Sequence, residues 1–469
     1  MNSVQNIDEL LKKIRRIHMI GIGGAGMAPL AEILLEEGYE ISGSDNNPSD
    51  TLDHIKSLGI PVYMGHHAEN LRGAQMVVHT AALLNDNPEL CAAREAGLPT
   101  FERAQLFGAI TRMYGNCIGV CGTHGKTTTT SLLTQILLTA GRDPSAVIGG
   151  RLPMIDSNGL VGHSDTIVCE ACEYVDTFLH LSPDTAVILN IDRDHMEYFK
   201  TEENLIHSFH QFAQLATKAV IYNLDDAKTR RAVEGITGKE MITFGTSEGA
   251  DYRAVHVQLY NGAFPEYDLF IHGKAAGHIV LSIPGIHNVD NSLAAIAAAH
   301  YNGVSVEQIT QAAREFRGAG RRFEILGRFD GVTIADDYAH HPAELKVTLT
   351  AALEMDYREV WAVFQPFTFS RTYMLLEDFA DVLRLPQHTV MTKIMGSRER
   401  NTYGVTTQQL ADKIPGSVWY ETFEEVAQYI VDHAKPGDLV ITLGCGDIYK
   451  AAKIMMKLYR AKGAKEERE

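Results

Sequence analysis

Short apolar runs recur along the chain, and each is followed by a glycine-rich turn and a stretch with helical periodicity. The three clearest units are RIHMIGIGGAGMAPLAEILLEEG from residue 16, NCIGVCGTHGKTTTTSLLTQILLTAG from residue 116 and DLVITLGCGDIYKAAKIMMKLY from residue 438. Strands that alternate with helices in this way form parallel sheets covered by helices. The pattern therefore predicts an α/β protein.

The segment between residues 252 and 283 has a different sequence pattern. The segments VHVQLY, YDLFIHG and HIVLSI are typical of antiparallel strands, and Asn261-Gly262 is a tight-turn pair between the first two. Further on, FRGAGRRFE at 316–324 is rich in glycine and arginine and has few apolar residues. We expect a small antiparallel sheet in the first region and a domain junction in the second.

Composition narrows the class of protein. A chain of 469 residues is longer than one hydrophobic core usually supports, so two to four domains are expected. The formal net charge of −17 argues against general binding to nucleic acid or to anionic membranes. No apolar run is long enough to span a bilayer, and MNSVQNIDELLKKIRR does not resemble a signal peptide. We expect a cytoplasmic protein without membrane insertion.

The strongest chemical signal is a glycine-rich turn between an apolar strand and a helix. A turn of this kind lets phosphate oxygens approach backbone N–H groups at the positive end of a helix. Lys126 is expected to reach the terminal phosphates of ATP, and the Thr127 hydroxyl to hold Mg²⁺. The general phosphate-loop pattern has a glycine where this chain has Val120, so the loop is a shortened variant. An ordinary threonine-rich turn is the alternative. The predicted ATP-binding residues are Gly122, Thr123, His124, Gly125, Lys126, Thr127 and Thr128.

A second glycine motif lies near the start of the chain. Its residues Gly21, Gly23, Gly24 and Gly26 again connect a strand to a helix, and Asp45 closes the next strand. This geometry is found in NAD-binding folds, but it suits any nucleotide diphosphate. Because the chain has a separate ATP loop, we favour a diphosphate other than NAD.

Acidic residues and a histidine follow two strands after the ATP loop: Glu170, Glu173, Asp192, Asp194 and His195. In a parallel sheet, ligands gather beyond the carboxyl ends of the strands. Glu173 and His195 are therefore predicted to converge on Mg²⁺. Charges on solvated loops are the alternative.

Two polar clusters come later in the chain. His287, Asn288 and Asn291 lie near the start of an alanine-rich helix, where they could contact an adenine edge or where Asn288 could cap the helix. Arg321-Arg322 lie in the expected junction and suit the charge of a transferring phosphoryl group, with a solvated linker as the alternative.

The last block contains a dense group of titratable residues. Asp336, Asp337, His340 and His341 follow a predicted strand, and Pro342 ends it. Arg371 comes after the next strand and could bind a carboxylate in bidentate fashion.

In order along the chain, GIGGAGM, SGSD, GTHGKTTTT, GIHNVDNSLAA, GAGRRFE, DDYAHHPAE and FQP…SRT resemble the motifs of the Mur ligases of bacterial cell-wall synthesis. The resemblance covers nearly the whole chain. It implies an N-terminal Rossmann-like domain for a UDP sugar (1–112), a central phosphate-loop ATPase (113–322) and a C-terminal Rossmann-like domain for the amino acid (323–469). It also implies that ATP activates the muramyl carboxylate of UDP-N-acetylmuramate as an acyl phosphate, which the amine of L-alanine then attacks.

The resemblance also assigns roles to residues. It maps Lys126 and Thr127 to ATP phosphate and metal, Glu173 and His195 to Mg²⁺, and His287, Asn288 and Asn291 to adenine. Asp336 maps to the ribose or phosphate side, Arg322 to the hinge, His341 and Arg371 to the amino acid, and the first glycine motif with Asp45 to the UDP sugar. The catalytic set is therefore Lys126, Glu173, His195, Arg322, His341 and Arg371.

Three stretches depart from the family pattern, one of them the VSSA-like turn of the UDP domain, which reads His79-Thr80-Ala81-Ala82. The EADES-like acidic stretch reads Glu170-Ala171-Cys172-Glu173-Tyr174, which leaves Glu173 to carry the metal role, and the QPH near the amino-acid site has Phe367 in place of histidine. Another small amino acid or a preformed peptide thus remains an alternative substrate. Outside the family, the alternatives are an NAD-dependent oxidoreductase and an inactive nucleotide sensor.

Overall fold

The computed structural model describes residues 3–81, 83–397 and 399–467. Two compact units are present. Unit 1 comprises Met1–His256, Tyr267–Ile279 and Val289–Phe316, and unit 2 comprises Val257–Glu266, Val280–Asn288 and Arg317–Glu469. The three domain ranges expected from the sequence remain a prediction.

The first sheet of unit 1 is parallel and has the strand order β3-β2-β1-β4-β5. This is the order of the first five strands of a dinucleotide-binding fold and confirms the Rossmann-like prediction for this domain. Its strands are β1 (Arg16–Ile20), β2 (Glu40–Asp45), β3 (Val62–Met64), β4 (Met76–His79) and β5 (Thr100–Glu102). Its helices are α1 (Ser3–Leu11), α2 (Ala28–Glu36), α3 (Asp50–Ser57), α4 (Pro88–Glu95) and α5 (Arg103–Thr111).

The central sheet of unit 1 has the parallel order β12-β11-β10-β6-β9-β7, and β8 pairs antiparallel with β7. Its strands are β6 (Asn116–Cys121), β7 (Ser145–Leu152), β8 (Ser157–Leu160), β9 (Thr166–Glu170), β10 (Thr185–Ile188), β11 (Ala219–Asn223) and β12 (Glu240–Gly245). The helices that accompany it are α6 (Lys126–Thr139), α7 (Met196–Phe199), α8 (Glu202–Leu215), α9 (Ala227–Val233), α10 (Asn288–Tyr301) and α11 (Val306–Glu315).

The strands expected to be antiparallel are β13 (Tyr252–Tyr260), β14 (Phe264–Ile271) and β15 (Lys274–Val280). They continue the central sheet in the order β15-β14-β13-β12. The connection between β14 and β15 is His272-Gly273, with φ of 47° and 75°. Two-residue connections between neighbouring strands require antiparallel pairing, and positive φ at both residues is typical of a hairpin turn.

Unit 2 contains the third sheet, in the order β20-β19-β18-β21-β17-β16-β22. The sheet is parallel from β20 to β17, and β16 pairs antiparallel with both of its neighbours. Its strands are β16 (Glu324–Phe329), β17 (Val332–Asp337), β18 (Val360–Phe364), β19 (His388–Thr392), β20 (Val418–Tyr420), β21 (Leu439–Leu443) and β22 (Glu466–Glu467). Its helices are α12 (Pro342–Glu354), α13 (Phe369–Met374), α14 (Leu376–Leu383), α15 (Thr407–Ala411), α16 (Phe423–His433) and α17 (Tyr449–Ala461).

Local sequence explains where several helices begin. Asn87 accepts hydrogen bonds from the backbone N–H groups of Glu89 and Leu90, and Pro88 supplies the first helical residue of α4. Ser305 and Gln308 form a reciprocal capping box at the start of α11. No helix among the described residues combines the length and the apolar character needed to cross a bilayer.

Candidate active site

The predicted ATP loop lies between β6 and α6, and its two glycines are required by close packing. Gly122 has φ of 147°, and a Cβ there would lie 2.8 Å from the Cβ of Leu189. Gly125 has φ of 84°, and a Cβ there would lie 2.1 Å from the side-chain oxygen of Asn291. Any larger residue would displace Leu189 at the first position and the Asn291 side chain at the second, and it would adopt a positive φ that favours glycine.

The loop is fixed by the segment that follows β10. The N–H groups of Thr123 and His124 donate to the backbone and side-chain oxygens of Asn190, at 3.0 and 2.8 Å. The Asn190 amide in turn donates to the His124 carbonyl at 3.0 Å, and the Asp192 N–H donates to the Thr123 hydroxyl at 2.8 Å. The first helical N–H groups, from Lys126 onward, have no intrahelical acceptor and are the donors available to an anion.

The Lys126 ammonium lies beneath this loop. It donates to the carbonyls of Gly122 and Thr123 at 2.6 and 3.1 Å, and it lies 2.9 Å from Oε2 and 3.2 Å from Oε1 of buried Glu173. Burial opposes the charge on Lys126, but Glu173 and Glu170 hold its pKa above the ordinary value. Lys126 is therefore a fixed positive charge at the start of α6.

Thr127 pairs with Glu170 and not with Glu173. Its hydroxyl lies 2.9 and 3.2 Å from the two Glu170 oxygens, and the Gly149 N–H donates to Glu170 at 2.8 Å. Glu170 is the last residue of β9, so parallel pairing with β6 brings it to the same edge of the sheet as the loop. A hydroxyl beside a carboxylate offers the hard oxygen donors that Mg²⁺ prefers.

His195 lies after β10 in the left-handed region, with φ of 54°. Its ring packs on Tyr174 at a centroid distance of 4.6 Å, next in sequence to Glu173. Its nitrogens lie 3.8 Å from an Asp194 oxygen and 3.6 Å from a Glu197 oxygen. The metal role of Glu173 and His195 stays a prediction.

The first glycine motif forms a compact turn between β1 and α2. The Gly21 N–H donates to the Ser44 carbonyl at 2.8 Å, and the Gly24 N–H donates to the Gly21 carbonyl at 3.1 Å. Asp45 accepts from the Gly23 N–H at 3.0 Å, so this carboxylate supports the turn itself. A Cβ at Gly23 would lie 3.0 Å from that carboxylate and 3.0 Å from the Leu52 side chain, so a larger residue would push both side chains aside.

A cavity of about 320 Å³ extends from this turn to the edge of the central sheet, within unit 1. Its walls include Gly24, Gly26 and Arg103 on one side and Gly149, Glu170 and Cys172 on the other. The cavity therefore borders both the first glycine motif and the carboxylate that contacts Thr127. The Cys172 thiol is neutral because burial raises its pKa.

A buried polar cluster supports the first glycine turn from below. Glu89 is fully buried and accepts from the Ser44 hydroxyl and the Asn70 amide, each at 2.5 Å. His66 lies 3.0 Å from its second oxygen, and buried His18 lies 3.5 Å from its first. Ser44 links this cluster to the turn, because its carbonyl holds the Gly21 N–H.

The cluster predicts a specific dependence of stability on pH. Burial alone would raise the pKa of Glu89, but the nearby His18 and hydrogen bonds from Ser44 and Asn70 lower it to about 2. A carboxyl whose pKa is lower in the folded than in the unfolded state stabilises the protein at pH values above its unfolded-state pKa. That stabilisation is lost as the pH falls through the folded-state pKa. We therefore expect Glu89→Gln to destabilise the first sheet by roughly 2 kcal/mol at neutral pH, and the difference from wild type to shrink between pH 4.5 and 2.

Hydrogen–deuterium exchange of peptides covering β1 and β2 measures this effect locally. Glu36→Gln is the matched control, since Glu36 is an exposed residue at the end of α2 in the same part of the fold. Equal exchange in Glu89→Gln and wild type at pH 7 would contradict the prediction.

The residues predicted for adenine lie around the start of α10. Asn291 is packed on Gly125 of the ATP loop, and its carbonyl lies 3.3 Å from the Thr129 hydroxyl. The Asn288 amide donates to the Pro284 carbonyl at 2.7 Å. The ring of His287 lies over Gly285, where a Cβ would come within 2.4 Å of it. Their contact with adenine stays a prediction.

In unit 2, Asp336 is engaged by two partners. Arg321 Nε donates to one of its oxygens at 2.8 Å, and the Thr442 hydroxyl donates to the other at 2.5 Å. Arg321 also donates to the Gly444 carbonyl at 2.5 Å. Arg321 thus ties the ends of β17 and β21 together.

Arg322 lies over the ring of Tyr338, 5.2 Å from its centroid. Asp337 accepts from the N–H groups of Phe323 and Ala339, each at 2.7 Å. Burial raises the pKa of Asp337 to about 6, although the nearby Arg322 guanidinium opposes this.

His340, His341 and Arg371 occupy different environments. His341 caps α12 by accepting from the Ala343 N–H at 3.3 Å. His340 lies 3.2 Å from Glu344, and burial, with a smaller effect of Arg371, lowers the pKa of His340. Arg371 also acts electrostatically on Cys445, whose pKa burial raises to about 12. The charge of Arg371 therefore acts on His340, and the roles of His341 and Arg371 toward the amino acid stay predictions.

Three residues in these sites were not predicted from the sequence, namely Glu170 as the partner of Thr127, Arg103 in the cavity wall, and His340 near Arg371. Glu170 carried a partial signal because it ends the apolar run TIVCE, which is typical of a buried strand. Arg103 carried none, since ERAQLF is an ordinary helix start.

Comparison with known proteins identifies the family over most of the chain. Residues 16–114 match the Mur ligase family, catalytic domain; residues 120–299 match the Mur ligase middle domain; and residues 321–446 match the Mur ligase, glutamate ligase domain.

Relatives similar along almost their whole length are UDP-N-acetylmuramate–L-alanine ligases. That of Caldanaerobacter subterraneus subsp. tengcongensis is 42% identical over 449 residues, covering 94% of this chain and 97% of the relative. That of Alkaliphilus metalliredigens is 40% identical over 456 residues, covering 96% and 98%.

Solved structures agree with this relationship. The UDP-N-acetylmuramate–alanine ligase of Thermotoga maritima superposes with a TM-score of 0.83 at 26% identity, covering 95% of this chain and 99% of that one. A murein peptide ligase from Psychrobacter arcticus shares the fold, with a TM-score of 0.74 at 23% identity and coverage of 95% and 98%. The chain belongs to the Mur ligase family.

Proposed function

We propose that the chain is an ATP-dependent ligase that joins L-alanine to the muramyl carboxylate of UDP-N-acetylmuramate in peptidoglycan synthesis. The observation that carries the proposal is the cavity in unit 1, which borders both a diphosphate-type glycine turn and the edge of the sheet that bears the ATP loop. Relatives with this activity are about 40% identical over nearly the whole chain, which supports the same substrates here. We further propose that it acts in the cytoplasm.

The reaction has two steps. A carboxylate oxygen of the sugar attacks the γ-phosphorus of ATP, which forms an acyl phosphate and releases ADP. The neutral amine of L-alanine then attacks the acyl carbon, an amide forms, inorganic phosphate leaves and the amine gives up a proton. Lys126 and the helical N–H groups that follow it stabilise the charge that moves on the phosphoryl group.

The oxygen donors beside the ATP loop fit a magnesium ion, because the Thr127 hydroxyl and the Glu170 carboxylate lie together at the edge of the sheet. These two residues would hold it, with Glu173 and His195 as the other proposed ligands. Bound Mg²⁺ would neutralise charge on the phosphates of ATP. Glu173 has a second task, since it holds the Lys126 ammonium in position.

Arg371 is the proposed partner of the L-alanine carboxylate in unit 2. Arginine binds carboxylates in a planar, bidentate geometry, and no ion pair with Arg371 occurs among the residues that the structure describes. His340 has a lowered pKa, so its imidazole is neutral near pH 7 and does not favour a charged ammonium nearby. We place His341 beside it as a second contact of this pocket.

The test is ADP release with ATP, UDP-N-acetylmuramate and a panel of L-alanine, glycine, L-serine and a tripeptide. We expect L-alanine to react fastest. Glycine should react measurably but more slowly, because one methyl group is worth roughly 1–3 kcal/mol in an apolar pocket.

Two outcomes would contradict the proposal. ADP release that needs only the tripeptide would assign the chain to peptide ligation. ADP release with none of the acceptors, together with reduction of a nicotinamide cofactor, would support an oxidoreductase.

A further inference from the structure

The guanidinium of Arg103 lies in the wall of the cavity of unit 1, and among the side chains that the structure describes no counterion pairs with it. Arg103 is the first residue of α5, and its guanidinium lies on the backbone of Gly26, since a Cβ there would come within 3.1 Å of Nη1 and 3.2 Å of Cζ. Within residues 3–81, 83–397 and 399–467, neither a hydrogen-bond acceptor nor a carboxylate pairs with this guanidinium.

Glu170, the other charged residue in the cavity wall, does not form an ion pair with Arg103. Both Glu170 oxygens are engaged, by the Thr127 hydroxyl and the Gly149 N–H. The residue that acts on Arg103 electrostatically is Cys172, whose thiol is neutral. Position 172 is a cysteine, so it supplies no carboxylate to neutralise Arg103.

A half-buried guanidinium without a partner is unfavourable unless an anion forms an ion pair with it. Arginine is the residue best suited to planar recognition of phosphate and carboxylate groups. The turn of Gly24 and Gly26 and the start of α2 border the same cavity, so the positive end of a helix adds to its field.

We propose that Arg103 is a substrate-binding residue that pairs with an anionic group of the UDP sugar in this cavity. The proposal rests on the proposed function, because the UDP sugar is the substrate expected beside the first glycine turn. Two groups of UDP-N-acetylmuramate have this chemistry, the diphosphate and the lactyl carboxylate.

Calorimetric titration of the full chain with UDP-N-acetylmuramate and with UDP-N-acetylglucosamine, which has no lactyl carboxylate, tests the pairing. Loss of a charge-assisted pair should weaken binding to Arg103→Gln by roughly ten- to a hundredfold. An equal loss for both sugars supports pairing with the diphosphate, and a loss for UDP-N-acetylmuramate alone supports pairing with the carboxylate. Arg103→Lys should recover part of the affinity because it keeps the charge.

Thermal stability separates a binding role from a structural one. Since no ion pair is broken, Arg103→Gln should unfold at the wild-type temperature or higher, whereas a structural arginine would give a lower one. Arg94→Gln is the matched control, because Arg94 is an exposed arginine on α4. Unchanged affinity of Arg103→Gln for both sugars overturns the inference alone, whereas a wild type that binds neither sugar overturns the proposed function as well.

Discussion

Replacement of Lys126 by alanine should lower the rate of ADP formation by at least roughly 10²–10³, with the UDP sugar still bound normally. Removal of a single preorganised donor to transition-state charge has an effect of about this size. Lys126 is such a donor, because two loop carbonyls and Glu173 hold its ammonium at the start of α6. Single-turnover measurements of ADP formation under saturating ATP would isolate the chemical step.

Loss of Lys126 also leaves the buried Glu173 carboxylate without its ion-pair partner, which destabilises the fold. The double variant Lys126→Met with Glu173→Gln removes that charge and should fold while remaining inactive. Lys218→Gln is the control, since Lys218 forms an ion pair with Asp184 at the amino ends of β10 and β11, which is the edge of the sheet opposite the ATP loop. A folded Lys126→Ala protein with a rate within tenfold of wild type would show that Lys126 does not act on the phosphate.

Replacement of Arg371 by alanine should raise the KM for L-alanine by roughly a hundredfold and leave the KM for ATP nearly unchanged. Hydrogen bonds to charged groups contribute about 1.5–3 kcal/mol, and each 1.4 kcal/mol is a factor of ten in affinity. Steady-state rates over a range of L-alanine concentrations give both constants.

The matched control for Arg371 is Arg328→Gln, because Arg328 belongs to an exposed pair with Glu467 in the same unit. Arg371→Lys keeps the charge but loses the planar fork, so its KM should lie between those of wild type and Arg371→Ala. If Arg371→Ala changes kcat but not the KM for L-alanine, Arg371 does not bind the L-alanine carboxylate, because loss of that contact should weaken substrate binding.

The sequence predicted the architecture well because its signals are local. Glycine-rich turns between apolar strands and amphipathic helices identified each parallel sheet, and Asn261-Gly262 identified a hairpin. The strand order was not predictable, because it depends on which strands pair across long stretches of chain. The position of β6 is one example, since it pairs with β9 and β10 through residues such as Val120 with Glu170 and Cys121 with Ile188.

The same limit explains why the sequence did not show which acids and histidines contact which partners in the candidate sites. The acids after β9 were recognised as a group, but only the register of β9 against β6 selects Glu170 for Thr127 and leaves Glu173 to Lys126. Likewise, adjacent His340 and His341 look equivalent in the sequence. The start of α12 distinguishes them, because its first turn uses His341 as the cap.

The way the ATP loop is held has a kinetic consequence. Asn190 fixes the N–H groups of Thr123 and His124, and Asn291 packs on Gly125, so the loop keeps its shape without help from a ligand. Nucleotide binding then loses little conformational entropy in the loop, because those backbone dihedral angles are already restricted. Encounter with the nucleotide should therefore limit the association rate, and ordering of the loop should add no slow phase to it.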